Sequence, residues 1–375
     1  MSTKVAIIGI GRTNARSVSP DVSYREMIFE AATKAYTDAG VTHREVESFV
    51  CNEEDFLVGY SITDEYTPDQ LGAVQKPVQT VTGDFLQGLA TAAMMIQAGL
   101  FKVVAVESHS KASNVKSLEE VHSFALDPML NRPLKMSANF VAGLEMRRYM
   151  HDAGLSEENC AEVVVRAKRQ AMKNPAAAWA LNITSKDVLS SEAVSLPLRE
   201  LDISPAADGA VVVILASEDF AKKNRPNKPV WLKGIGWCSD TPGLETRDWS
   251  DAAYARLASE RAFKMAGISD PLKDIDVFEI DDTYSYKLLQ HADALLFKKA
   301  GDSKTKWNEL PLNPSGGSLG YGNLFEANGG IKLYEICSQL RGIAGATQLS
   351  GAKRGLAMAW RGVPTTTGVV AVLEI

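Results

Sequence analysis

The sequence is poor in the residues that build disulfide and metal frameworks. It has four cysteines in 375 residues (Cys51, Cys160, Cys238 and Cys337), and no two form a CxxC pair. That excludes a disulfide scaffold. The five histidines are His43, His109, His122, His151 and His291. None is read as standing at ligand spacing with a cysteine or an acid, so no metal site is expected in this chain. There is no run of Lys/Arg long enough to follow a phosphate backbone, and the net charge is −6 with a pI near 5.6. Nucleic acid is therefore not the expected partner. The longest apolar run, Ala206 to Ala216, is broken by Asp208 and too short to cross a bilayer. Met1-Ser2-Thr3-Lys4 leads straight into a strand pattern with no signal-peptide pattern, so a cytoplasmic, membrane-free protein is expected.

What is present is ordinary globular composition, with 45% hydrophobic and 23% charged residues. Lys4 to Gly11 reads as a buried strand ending in Gly-Ile-Gly. Ser23 to Ala39 reads as a helix stopped by Gly40. Glu47–Cys51, Thr82–Ala98 and Lys102–Val106 continue the alternation of strand and helix. This grammar implies an α/β fold with a largely parallel sheet. It then returns: Val230–Gly236 again ends in Gly-Ile-Gly, Asp251–Ala266 is a helix stopped by Gly267, and Asp276–Ile280 is the next strand. "KAYTDAGV" at Lys34–Val41 resembles "RAFKMAGI" at Arg261–Ile268, which points to an internal duplication. The expected division is 1–109 with 206–225 as a first half, 110–205 as a lid or loop insertion, and 226–375 as a second half.

Three stretches offer chemistry. Gly9-Ile10-Gly11-Arg12-Thr13-Asn14 lacks the third glycine of a dinucleotide fingerprint and reads as a tight strand exit. Asn313-Pro314-Ser315-Gly316-Gly317-Ser318-Leu319-Gly320-Tyr321-Gly322-Asn323 is a glycine-rich loop entering a helical pattern. Such a loop can present backbone N–H groups to an anion or a carbonyl oxygen. Asp281 and Asp282 stand where an apolar strand meets a helix, with Tyr284 and Tyr286 following. They can cap that helix or, at the carboxyl end of a strand, act as acid or base. His109 closes the third predicted strand and is the only histidine candidate.

The duplicated unit, the NPSGGSLGYGN loop, "LPLRELDISPAADGAVVVILASEDFAKK", "KNPAAAW", "IDVFEIDDTYS", "EICSQLRG" and the C-terminal "RGLAMAWRGVPTTTGVVAVLEI" resemble the thiolase superfamily. The likeness covers essentially the whole chain, and the closer resemblance is to the sterol-carrier-type thiolases and their bacterial and archaeal relatives. It implies a duplicated thiolase fold, coenzyme A thioesters as substrates and a homodimer. Some relatives pair with a small zinc-ribbon/OB-fold protein, which implies such a partner here.

The resemblance also exposes departures. The family's nucleophilic cysteine falls on Thr82, its Asn or His at the strand–helix junction on Asp281, and its Gly-His-Pro histidine on Asn323. The second cysteine falls near Trp360-Arg361-Gly362, which holds no thiol. The implied reaction is carbon–carbon cleavage or formation on an acyl-CoA without a cysteine nucleophile, as in retro-aldol relatives. Asp281 and Asn323 would face one centre, with Tyr284, Tyr286 or Tyr321 as proton carriers, while Ser315, Gly316, Gly317 and Arg361 would hold the thioester or a substrate carboxylate. Arg361 could instead pair with Asp281. The alternatives are a catalytically silent scaffold subunit of a CoA-processing complex and, third, classical thiolysis of a 3-ketoacyl-CoA.

Overall fold

The computed structural model describes residues 3–54, 62–223, 227–241, 243–297, 299–362 and 366–375. The strands of its main sheet are β1 (Val5–Arg12), β2 (Ser48–Cys51), β3 (Val78–Thr80), β4 (Val103–Ser110), β5 (Gly209–Ser217), β6 (Val230–Ser239), β7 (Val277–Glu279), β8 (Arg354–Trp360) and β9 (Thr367–Glu374). They form one sheet in the order β3-β2-β4-β5-β1-β6-β9-β8-β7.

The order carries the duplication. Read outward from the central β1–β6 pair, the first half runs first, last, fourth, second and third strand. The second half runs β6, β9, β8, β7, the same sequence without its last member. An isolated parallel bridge, Phe278 to Leu312, stands where that member would pair.

The sheet is mixed, which corrects the expectation of a largely parallel one. β2 pairs in parallel with β3 and β4, as β7 does with β8. The remaining pairings are antiparallel. The cause is the strand that closes each half: β5 inserts between β1 and β4, β9 between β6 and β8, and each runs against both neighbours. β3 is three residues long and escaped sequence reading.

The helices that matter for the site are α1 (Tyr24–Ala39), α2 (Phe85–Gln97), α3 (Ala138–Ala153), α4 (Glu157–Ala171), α5 (Ala253–Ala266), α6 (Ser285–Leu296), α7 (Gly317–Tyr321) and α8 (Asn328–Arg341). Side chains alternate across each strand, so β5 sends Val211, Val213 and Leu215 to one core and Ala210, Val212 and Ile214 to another. The first core holds α2 and α8 together with apolar residues from both halves. α1 covers the outer face of the first half; α5 and α6 cover that of the second. This is five alternating layers of helix and sheet, with α2 and α8 in the middle.

The repeated Gly-Ile-Gly is explained by packing. A Cβ on Gly11 would lie 2.1 Å from the Ala31 carbonyl of α1, and one on Gly236 would lie 2.3 Å from the Ala258 carbonyl of α5. Each glycine lets a helix backbone rest directly on its strand. Gly40 and Gly267 end those helices in left-handed conformation, at φ of 65° and 69°. Lys34–Val41 and Arg261–Ile268 thus occupy equivalent places. In the intervening segment, α3 and α4 pack on α6, and α4 also packs on α7. Among the described residues no helix is long and apolar enough to cross a membrane.

Candidate active site

A cleft opens beyond the carboxyl ends of β2, β7 and β8. That is the end of an α/β sheet where ligands bind. Its walls come from the start of α2 (Asp84), the β7–α6 junction (Thr283, Tyr284), the loop between α7 and α8 (Asn323 to Asn328) and the end of β8 (Trp360 to Gly362).

Asn323 is held through its Oδ1, and among the described residues nothing accepts from its amide nitrogen. Its Oδ1 accepts the Phe325 backbone N–H at 3.0 Å and the Asn328 Nδ2 at 2.7 Å. Asn328 is fixed in turn by the Leu324 N–H, donated to its Oδ1 at 2.8 Å. The Asn323 N–H₂ is the group offered to the cleft.

The cleft also carries acids that sequence reading missed. Asp84 caps α2: Oδ1 accepts the Leu86 N–H at 2.8 Å and Oδ2 the Gly329 N–H at 2.9 Å. Burial pushes its carboxyl up to about 7. Glu326 is 7% exposed, and burial, with Glu53 and then Asp84 as neighbouring charges, pushes it well above the ordinary value. Among the described residues, no other residue hydrogen-bonds its carboxyl. Glu54 is ion-paired with Arg361. Asp84 could have been found from its place at the first turn of a helix pattern. Glu326 lies three residues past Asn323 with no local signal, because a single acid in a loop carries none.

Of the residues singled out in the sequence, the cleft brings together Asn323, Tyr284 and Arg361. Arg361 pairs with Glu54, not with Asp281. Tyr284 donates its hydroxyl to Asn139 Oδ1 at 3.0 Å. Asp281 is fully buried and absent from the lining. Its Oδ1 accepts the Thr283 N–H at 3.0 Å, and its Oδ2 faces Lys332 Nζ at 3.8 Å. Thr82 is exposed, two residues before the cap of α2, and does not line the cleft. Tyr321 is buried and accepts a hydrogen bond from Arg12, whose guanidinium is paired with Glu335 at 2.9 Å.

The glycine loop is held largely by groups of the chain itself. Glu279 takes the Ser315 N–H at 3.1 Å and its hydroxyl at 2.7 Å. The Gly316 N–H goes to the Asn313 carbonyl at 3.0 Å and the Gly317 N–H to Ser315 Oγ at 3.2 Å. Asp282 takes the Ser318 N–H at 2.6 Å. The chain's own buried carboxyl groups take the Ser315 and Ser318 N–H groups, and Ser315 and Gly317 line a small cavity with Lys332, apart from the cleft. Burial raises Glu279 to about 8 and Asp282 to about 6. Neither Asp281 nor Asp282 caps α6, whose N-cap is Tyr284.

His109 is fully buried beside two acids. Its Nδ1 lies 2.7 Å from Glu53 Oε1 and 2.9 Å from Glu107 Oε1. Although its burial opposes the charge, these acids hold the imidazole well above its ordinary value. The expectation that no histidine stands with an acid at ligand spacing fails here: Glu107 and His109 are two apart on β4. Beneath the cleft floor Lys287 Nζ meets Glu145 Oε1 at 2.8 Å and lies 4.3 Å from the Trp360 ring. Tyr286 donates to Glu145 Oε2 at 2.8 Å.

None of the four cysteines lines the cleft. Cys51, Cys160 and Cys337 are buried, and burial pushes each thiol up, Cys337 to about 12.

Comparison with known proteins follows the same lines. Residues 238–374 match the thiolase C-terminal domain-like family. An acetyl-CoA acetyltransferase of Methanothermobacter thermautotrophicus is 29% identical over 368 residues, 94% of each chain. Sterol carrier protein 2 of Gallus gallus is 28% identical over 392 residues, 95% of this chain and 69% of that one. Among solved structures, the Ltp2-ChsH2(DUF35) aldolase superposes with a TM-score of 0.83 at 23% identity, covering 99% of this chain and 97% of that one. The architecture is a duplicated α/β thiolase fold, and the likenesses support the thiolase superfamily.

Proposed function

We propose that this thiolase-fold chain makes or breaks a carbon–carbon bond on an acyl-CoA without an acyl-enzyme, acting as a retro-aldol lyase. The observation that carries the reading is one cleft holding the Asn323 amide and the Glu326 carboxyl, with no thiol on its lining. A β-hydroxyacyl-CoA needs a base for its hydroxyl proton and a donor for the developing thioester enolate.

Glu326 is the base, chosen by elimination among the carboxyl and phenol groups of the lining. Asp84 has both oxygens engaged by backbone N–H groups, Glu54 is held by Arg361, and the Tyr284 hydroxyl donates to Asn139. Ionised Glu326 takes the hydroxyl proton, the Cα–Cβ bond breaks, and its electron pair enters the thioester enolate. The Asn323 N–H₂ donates to the enolate oxygen. The proton returns from Glu326 to Cα, giving a carbonyl compound and a shortened acyl-CoA. The high proton affinity of a buried Glu326 makes it a strong base once ionised.

The relatives named for acetyl-CoA acetyltransfer support a CoA thioester as substrate. A cytoplasmic homodimer, and a zinc-ribbon/OB-fold partner subunit as suggested by the aldolase neighbour, belong to the same proposal. The test is turnover of a β-hydroxyacyl-CoA series by the full chain, alone and with candidate partner subunits, followed by mass spectrometry of CoA esters. Glu326→Gln should lower kcat by about 10²–10⁴-fold while CoA-ester binding persists. Thiolysis of a 3-ketoacyl-CoA with no β-hydroxyacyl cleavage would favour the classical reaction instead. CoA binding with no turnover under any of these conditions would favour a scaffold.

A further inference from the structure

We propose that Glu53, Glu107 and His109 bind one divalent first-row cation, Zn²⁺ foremost, at a site separate from the cleft. The three residues are brought together by strand register. Cys51 of β2 pairs with Glu107 of β4, and the Asn52 N–H donates to the Glu107 carbonyl at 2.8 Å. This sets Glu53 beside His109, whose backbone N–H donates to Glu53 Oε1 at 2.9 Å.

The geometry suits an ion. One ligand atom from each residue lies within 4.8 Å of the others, and all three residues are buried. The Nδ1–oxygen separations are 2.7 and 2.9 Å. A tetrahedral ion bound at about 2.0–2.2 Å spaces its ligand atoms at about 3.3–3.6 Å, so the three side chains would open by several tenths of an ångström to admit it.

A second observation points to a missing ligand. Glu107 is 0% exposed, and its Oε2 has no hydrogen-bond partner. Its other oxygen faces the imidazole, and the Cys51 thiol borders the same carboxyl. A buried acceptor left unmatched is costly.

A nitrogen donor with carboxylates suits Zn²⁺ among the available ions. The cation replaces the proton on Nδ1, so binding releases a proton.

The test is metal analysis of the full chain, produced or refolded with Zn²⁺ or Co²⁺ and dialysed. The expected result is one equivalent per chain, a Co²⁺ spectrum of imidazole and oxygen ligation, and proton release on binding. His109→Gln and Glu107→Gln, checked for fold by circular dichroism, should bind at least about tenfold more weakly. If those variants fail to fold, X-ray absorption on the unaltered Zn²⁺-loaded protein decides, since the site requires one imidazole with oxygen donors. No metal above the level of a control protein after loading would overturn the proposal. So would full retention by both folded variants, or an absorption spectrum without imidazole.

Discussion

Asp282 Oδ1 accepts the backbone N–H of Ser318 at 2.6 Å, so the short helix after the glycine loop is capped from inside the chain. The loop that looks most like a ligand cradle in the sequence is filled by a carboxylate 36 residues upstream. Gly317 sits at φ 58°, and a Cβ there would lie 2.1 Å from Asp282 Oδ2. Gly317→Ala should therefore lower stability by about 1–3 kcal/mol, read from urea unfolding, with CoA-ester affinity unchanged. Lost affinity at unchanged stability would restore the cradle.

Asn323 and Thr82 separate two chemistries. Asn323→Ala removes the free amide donor and should lower kcat by about 10²–10³-fold. Thr82→Ala alters an exposed hydroxyl off the cleft and should leave kcat nearly unchanged. Steady-state kinetics on a β-hydroxyacyl-CoA checks both, and a dead Thr82→Ala beside an active Asn323→Ala would reverse the assignment.

Stability should fall as pH rises. Burial holds Asp282, Asp84 and Glu279 at about 6, 7 and 8, above their ordinary 3.8, 3.8 and 4.5. The folded state thus keeps protons that the unfolded state releases. The cost of ionising these groups is absent below about pH 4 and grows as pH rises through 6 to 8. The urea midpoint should be higher at pH 5 than at pH 8, and Asp84→Asn should flatten the difference. A midpoint rising over that window would contradict the assignment.

Lys287 and Glu145 form a pair at 2.8 Å with side chains 0% and 1% exposed. Removing one partner leaves a buried charge alone, at a cost of about 3–5 kcal/mol. Lys287→Met should show that loss in denaturant unfolding, and adding Glu145→Gln should recover much of it. Additive losses would mean that the pair is not coupled.

The duplication was legible because its cause is local. Gly9-Ile10-Gly11 and Gly234-Ile235-Gly236 must be glycines where a helix backbone touches the strand, and each copy is followed by a helix and a left-handed glycine stop. Strand direction was not legible: β5 and β9 are apolar except at their ends, and nothing within them says which neighbours they separate. The cleft was legible in part. Asn323, Tyr284 and Arg361 lie in or beside informative motifs, whereas Glu326 and Asp84 acquire their character from burial among acids distant in sequence. The glycine loop misled for the same reason, since Glu279 and Asp282 fill it from another element.

The account stands most directly on the absence of a covalent thioester to the chain. Three of the four cysteines are buried with raised thiols, and Cys238 lies on β6, outside the cleft lining. The decisive measurement is intact-mass analysis of the protein quenched during turnover of an acyl-CoA. The account predicts an unmodified mass while products accumulate. An acyl adduct mapped to Cys51, Cys160, Cys238 or Cys337 would contradict it.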